Sequence, residues 1–313
     1  MKNLLLIISV IFTITFSPLK AQSTVSLAEK LGYPKDAKLL IIHADDLGLS
    51  HSTNVAVMKA FENKVITSGS MMVPCPWFPE IAEFVKKNPG LDVGIHLTLT
   101  SEWDFFKWGG VASSGETPGL LDKNGYLYAS NEEMGKNATP AEVEKELRAQ
   151  IERVISCGIQ PTHLDNHMGS LLVNMELLKI YIKLSKEYHL PILVPAIYVG
   201  MMPPGIVKLL DDGVVKVDNL FMLNPNLVKE RWAEPYNKAI AEMKPGLNEI
   251  IVHLSVDNEE MKAIEAGHTD FGSAWRQNDL NYVLSNEFKD VLKQNNITLI
   301  TWKQIKDAMN QTK

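Results

Sequence analysis

The stretch Lys38-Leu39-Leu40-Ile41-Ile42-His43-Ala44-Asp45-Asp46-Leu47-Gly48-Leu49-Ser50 decides the fold class. Residues 38–44 form an apolar run of strand length, the mark of a strand buried on both faces. A helical pattern comes directly after it, opening at Ser50 and carrying Val55, Met58, Ala60 and Phe61. Strand then helix is the βα unit, and it recurs down the chain. Residues 65–73, 91–99, 161–166, 192–199, 214–223, 247–253 and 297–302 read as strands. Residues 78–87, 171–188, 205–211, 227–243 and 278–294 read as helices, and a last helix comes after residue 302. The helix ending near Gly158 is the best signalled: Thr139 as N-cap, Pro140 at the first helical position and Glu142 completing a capping box. Residues 101–137 are irregular.

About eight βα units in one chain, without linker or low-complexity tract, predict an α/β fold: a single-domain TIM-like (β/α) barrel. A doubly wound open sheet is the alternative, but no Gly-rich phosphate fingerprint comes after the first strand. Of the 313 residues, 45% are hydrophobic and 22% charged, which suits a large core and argues against wholesale disorder. The formal net charge is −6, so nucleic acid is disfavoured as a partner. Two cysteines are too few for a disulfide scaffold or a thiolate metal site; Cys75 and Cys157 read either as a pair or as two thiols.

The first residues read as a secretory signal peptide: Lys2, an apolar run from Leu4 to Phe16, then cleavage after Ala21. That run is short for a bilayer span, so cleavage is expected rather than a stable membrane anchor. Loss of residues 1–21 removes Lys2 and Lys20, leaving 29 basic against 37 acidic side chains, a net charge of −8. The domain is then residues 22–313, and the expected location is periplasmic or secreted.

In a βα barrel, chemistry sits at the C-terminal ends of the strands. Four of the eight histidines fall there or just beyond: His43, His96, His167 and His253. Asp45 and Asp46 are two adjacent carboxylates after a core strand, a costly arrangement that a bound cation would offset. Taken alone, they read equally as acids at a helix N-terminus. His163, Asp165 and His167 alternate, and share one face if extended. His163 reads as a satisfied core hydrogen bonder, and His167 as the better ligand. A carboxylate with two imidazoles suits Zn²⁺ or another divalent ion, Mg²⁺ included.

These motifs carry a resemblance. Ala44-Asp45-Asp46-Leu47-Gly48-Leu49-Ser50 with Asn54 resembles the opening motif of the YdjC-like carbohydrate deacetylases, the chitooligosaccharide deacetylase family. So do Val93-Gly94-Ile95-His96-Leu97-Thr98-Leu99, Pro161-Thr162-His163-Leu164-Asp165-Asn166-His167, Glu249-Ile250-Ile251-Val252-His253, and Arg276. The resemblance implies a TIM-like barrel that uses a divalent metal to remove N-acetyl groups from an amino sugar, oligosaccharide or glycoconjugate. It implies Asp46, His96 and His167 as metal ligands, Asp45 as general base and His253 as the imidazolium that protonates the leaving amine. It implies a substrate contact for Arg276, and it is compatible with a homodimer. Asp165 reads as a partner orienting a ligand histidine, with His163 beside it. Met168-Gly169-Ser170, Leu47 and Leu254 depart from the family pattern. Trp103 and the other aromatics of 101–137 read equally as a sugar-stacking surface or a small satellite core. The competing functions are metal-dependent hydrolysis of another bond, such as a phosphoester, and non-catalytic sugar binding.

Overall fold

Leu39, Leu40, Ile41 and Ile42 are fully buried, as a strand flanked on both edges and covered on both faces requires. The computed structural model describes residues 26–208, 210, 214–268 and 270–310, so the leader expected at 1–21 lies outside the described residues. The apolar run belongs to β1 (Lys38–Leu47). The other strands are β2 (Ser68–Met71), β3 (Val93–Leu97), β4 (Leu164–Asn166), β5 (Ile192–Pro195), β6 (Val214–Val217), β7 (Asn219–Phe221), β8 (Gly246–Val252) and β9 (Ile297–Leu299). Every strand pairing is parallel.

The strand order is β6-β5-β4-β3-β2-β1-β8-β7. The stretch 214–223, expected as one strand, is two, with only Asp218 between β6 and β7. β6 pairs β5 and β7 pairs β8, so one extended segment passes from one sheet edge to the other and nearly closes the barrel. Asp218 holds the crossing, its N–H donating to Leu247 O at 2.8 Å and its Oδ2 accepting from Leu247 N at 3.0 Å. β8 runs along one edge of β1, while the other edge is shared by β9 at Lys38–Leu40 and β2 from His43 onward.

Two helix expectations and one strand expectation are corrected. The pattern at 278–294 is two helices, Ser273–Leu284 and Asn286–Gln294, because extended Ser285 interrupts the first and caps the second through Phe288 N. The expected strand at 192–199 stops at Pro195 and gives way to the helix Ala196–Met201. The expected helix from Leu171 begins at Met175, after a 3-10 turn in which Met168 and Gly169 have φ of 56° and 64°. The helix Glu259–Ile264, capped by Asn258 with Glu259 and Glu260 in its first turn, lies where the sequence reading assigns no element. The helix Pro140–Ser156 shows both halves of the expected capping box, then Cys157 and Gly158 at φ +80°. Its buried Glu146 accepts from Val111 N and Ala112 N at 2.8 and 2.9 Å, pinning the irregular stretch before it. Cys75 and Cys157 are both free thiols. Among the described residues, no helix is long and apolar enough to cross a membrane.

Strand alternation sorts the core. Leu40 and Ile42 pack with the helix-facing cluster, whereas Leu39 and Ile41 join Leu193, Val215, Val217, Leu247 and Trp302, which fill the barrel interior. His43 and Asp45 continue that interior series toward the C-terminal mouth.

Candidate metal centre

By the same alternation Asp46 should face the helices. It does not, because its φ of 66° is left-handed and the pairing with β2 changes register between Ala44 and Leu47. That turn lets two consecutive carboxylates serve one site. It costs about 1–2 kcal/mol for most side chains, and Asp is among the most tolerant. Gly48 continues the turn at φ +92°, where a Cβ would stand 3.0 Å from the Phe78 Cα. The Gly48 N–H donates to Oδ1 of Asn54 at 2.8 Å, which gives the motif's glycine and asparagine their structural reason.

Three donor atoms converge here: Oδ1 of Asp46, Nε2 of His96 and Nδ1 of His167. Asp46 lies 3.5 Å from His96 and 3.6 Å from His167, and the two imidazole nitrogens are 3.3 Å apart. Zinc held by N and O donors at about 2.0–2.2 Å sets tetrahedral edges of about 3.3–3.6 Å. Oδ1 of Asp46 is buried and accepts no hydrogen bond. The donor set therefore fits a divalent cation, and the three residues form a group able to hold one.

A partner behind each ligand fixes its aim. Nη2 of Arg276 donates to Oδ2 of Asp46 at 2.7 Å, leaving Oδ1 for the site. Nδ1 of His96 lies 2.8 Å from Oδ1 of Asp165, so that nitrogen carries the proton and Nε2 presents a lone pair. His167 uses its nitrogens the other way round, with Nε2 3.0 Å from Oε2 of Glu102.

The same neighbours set the charge of each group, and a cation bound at the site would replace the proton that they favour on the ligand imidazoles. Burial opposes ionisation of Asp46, but the Arg276 guanidinium together with His167 and His253 outweighs it and holds the carboxyl well below its ordinary range. Burial likewise opposes charge on His167, and the Glu102 and Asp46 carboxylates overcome it, lifting the ring to about 10. His96 is raised in the same way, against burial, by Asp165 and Asp45. His253 goes the other way: burial, reinforced by Arg276, lowers it to about 4. At neutral pH its resting ring is a neutral imidazole, not the imidazolium expected from sequence.

Asp45 sits beside the three donors. Its Oδ1 is 3.1 Å from Nε2 of His43, and its Oδ2 is 3.9 Å from Nε2 of His96 and 3.8 Å from Nε2 of His253. His163 lies deeper, fully buried, stacked on Trp302 at 5.2 Å between centroids and bonded to Thr162 at 2.9 Å. Burial and the nearby His43 push it well below the usual histidine value, so it is a neutral core ring. Gly94 makes room for it, since a Cβ there would fall 2.5 Å from its Cε1. Arg276, expected at the substrate, is 3% exposed and turned to Asp46 and to Phe271 O. Trp103 is 1% exposed beneath the Arg276 guanidinium, and Trp108 is buried too; both belong to the main helix-facing core, neither to a separate satellite core nor to an open stacking surface. Phe105, at 79% exposure, and Tyr126 are the exposed aromatics of that stretch.

Sequence reading passes over Glu102, whose one signal is its place a few residues beyond the strand of His96. It also passes over Asp279, one turn after Arg276, which accepts from the His253 N–H at 3.0 Å and from Trp232 and Tyr236. Glu249 has no role in the motif that contains it; it is a carboxyl inside an apolar strand, and burial raises it to about 8.

The family model described as YdjC-like protein matches residues 39–294. A carbohydrate deacetylase of Thermus thermophilus is 31% identical over 294 residues, covering 90% of this chain and 99% of the relative. A carbohydrate deacetylase of Thermoanaerobacter pseudethanolicus is 26% identical over 271 residues, covering 86% and 100%. Among solved structures, a protein of Enterococcus faecalis V583, provisionally assigned to cellobiose-phosphate cleavage, superposes with a TM-score of 0.70 at 23% identity, over 86% of this chain and 99% of that one. That likeness speaks for the fold.

Proposed function

The chain belongs to the YdjC-like protein family, and from that premise we propose that it is a metal-dependent carbohydrate deacetylase, removing N-acetyl groups from an amino sugar, oligosaccharide or glycoconjugate. The observation that carries the reading is the donor triangle of Asp46, His96 and His167 with Asp45 at its edge. Two imidazoles and one carboxylate favour Zn²⁺ over Mg²⁺. When bound, the metal polarises the amide carbonyl and makes a water acidic enough to be deprotonated near neutrality.

The remaining work falls to this chain's own side chains. Asp45 takes the proton of the attacking water on Oδ2, the oxygen facing the ligand histidines. His253 is neutral at rest and 3.8 Å from that oxygen, so it can receive the proton and pass it to the departing amine nitrogen. Water oxygen and carbonyl carbon form a bond, the C–N bond breaks, and acetate and a free amine leave. Arg276 keeps Asp46 ionised throughout, and Asp165 and Glu102 hold the two imidazoles in the required tautomers. The leader-like run from Leu4 to Phe16 supports a place of action outside the cytoplasm.

The test is acetate release from a panel of N-acetylglucosamine oligosaccharides and glycoconjugates, with and without chelator. Acetate that disappears on chelation supports the reading. No acetate from any glycan, alongside phosphate release from a phosphoester, overturns it.

A further inference from the structure

Beneath the metal position the barrel interior holds a second tier of polar side chains, and His43 is its hub. It is fully buried and precedes Asp45 by two residues on β1, so both project to the interior. One nitrogen, Nε2, lies 3.1 Å from Oδ1 of Asp45, 3.0 Å from Oδ2 of Asp165 and 3.1 Å from Oγ of Ser70. Ser70 donates to that same Asp165 oxygen at 2.8 Å. The other Asp165 oxygen faces Nδ1 of His96, also at 2.8 Å.

Carboxylate oxygens accept and do not donate, so Nε2 of His43 donates to Oδ2 of Asp165 and stands at ion-pair distance from Oδ1 of Asp45, which has no hydrogen bond of its own. An oxygen of Asp45 and an oxygen of Asp165 lie within 4.8 Å of each other, where two uncompensated negative charges repel. The His43 ring has no freedom to leave that position. It packs edge-on against His163, with 5.1 Å between centroids, and His163 is itself stacked on Trp302. With Oδ1 of Asp45 turned to His43, the other oxygen, Oδ2, is the one turned toward His96 and His253.

We propose that His43 is a positioning residue for the hydrolysis: its Nε2, hydrogen-bonded to Asp165 and beside Oδ1 of Asp45, holds the two carboxylates together, aiming the base and, through Asp165, steadying the ligand His96. This rests on the assignment of the centre as a metal-dependent hydrolase. It joins base and metal ligand through one buried charge cluster, so loss of His43 disturbs turnover and metal binding together. A ring that merely filled space would disturb neither selectively.

Two variants test it, His43→Leu and His43→Gln. Leu fills the space without a donor, whereas the Gln amide restores an N–H at comparable reach. For Leu, kcat is expected to fall about 100-fold with KM within about threefold. Zinc affinity, read by competition with a chromogenic chelator, is expected to weaken about 10-fold or more. For Gln, most of both losses is recovered. Wild-type kcat and zinc affinity in the Leu variant would overturn the proposal, as would a Gln variant that folds and is as impaired as Leu. If Leu does not fold, Gln alone decides: zinc affinity within about threefold of wild type supports the role, and a larger loss contradicts it. If the wild-type protein releases no acetate, the deacetylase reading falls, and the zinc competition still decides the role of His43.

Discussion

Arg276 offers the sharpest test of how the site is built. Its guanidinium and the Asp46 carboxylate are both buried, and Nη2 meets Oδ2 at 2.7 Å. At that separation, with an effective dielectric of about 20, the attraction is about 6 kcal/mol. Much of it offsets the desolvation of two buried charges, so the pair as a whole adds little stability. Removing one partner is another matter, because it strands the other charge in the interior, at a cost of about 3–5 kcal/mol. Arg276→Leu strands Asp46, and Asp46→Asn strands Arg276; Asn also tolerates the left-handed backbone at φ 66°. The double variant strands neither. It is expected to be more stable than the two single losses imply by at least about 3 kcal/mol. The assay is urea denaturation of all four proteins with chelator present, so that no metal substitutes for the guanidinium. With saturating zinc, Arg276→Leu should regain part of its loss, since a cation then neutralises Asp46. Single losses below about 1 kcal/mol, or additivity within about 0.5 kcal/mol, would refute the claim that these charges stand or fall together.

Asp45→Asn is expected to bind zinc normally and to lose turnover by a factor of about 10²–10⁴, whereas His96→Ala loses the metal; turnover and metal content measured on the same samples separate the two roles. Glu102→Gln removes the carboxylate 3.0 Å from Nε2 of His167 and should weaken zinc binding about 10–100-fold in chelator competition; unchanged affinity would remove Glu102 from the site. Glu249, raised to about 8 by burial, is protonated in the folded protein at neutral pH. Its contribution to stability is full below the ordinary glutamate value and is lost as pH rises through 8, by about 2.3 kcal/mol between pH 6 and 8. Glu249→Gln lacks that slope, so urea midpoints of variant and wild type should diverge in the variant's favour over this range, and parallel curves would contradict the assignment.

Much of this protein can be read from its residues. The apolar run before His43 and the alternation after it imply a parallel barrel, and strand parity alone places His43 and Asp45 inside. The capping box at Thr139 and Glu142 is local chemistry and reads directly. Other features depend on long-range contacts. Nothing near residues 214–223 announces that Asp218 divides them between two neighbours, because the break answers to β5 and β8. Ser285 divides a helical pattern by capping its second half, a choice that periodicity alone does not reveal. In the site, the three donors and Asp165 come from motifs with recognisable patterns. Glu102 lies in an irregular stretch, and the buried places of Arg276 and Trp103 depend on long-range contacts, Arg276 with Asp46 and Trp103 with His268. The neutral state of His253 is likewise a property of its surroundings.

The central claim is that one metal, held by Asp46, His96 and His167, carries the hydrolysis. The most direct measurement adds zinc stepwise to chelator-treated protein while acetate release from an N-acetylated oligosaccharide is monitored. Activity should start from background, rise in proportion to metal and level off at one zinc per chain, and His96→Ala should stay at background throughout. Full activity in the metal-free protein, or one tightly bound active zinc in His96→Ala, would contradict the account.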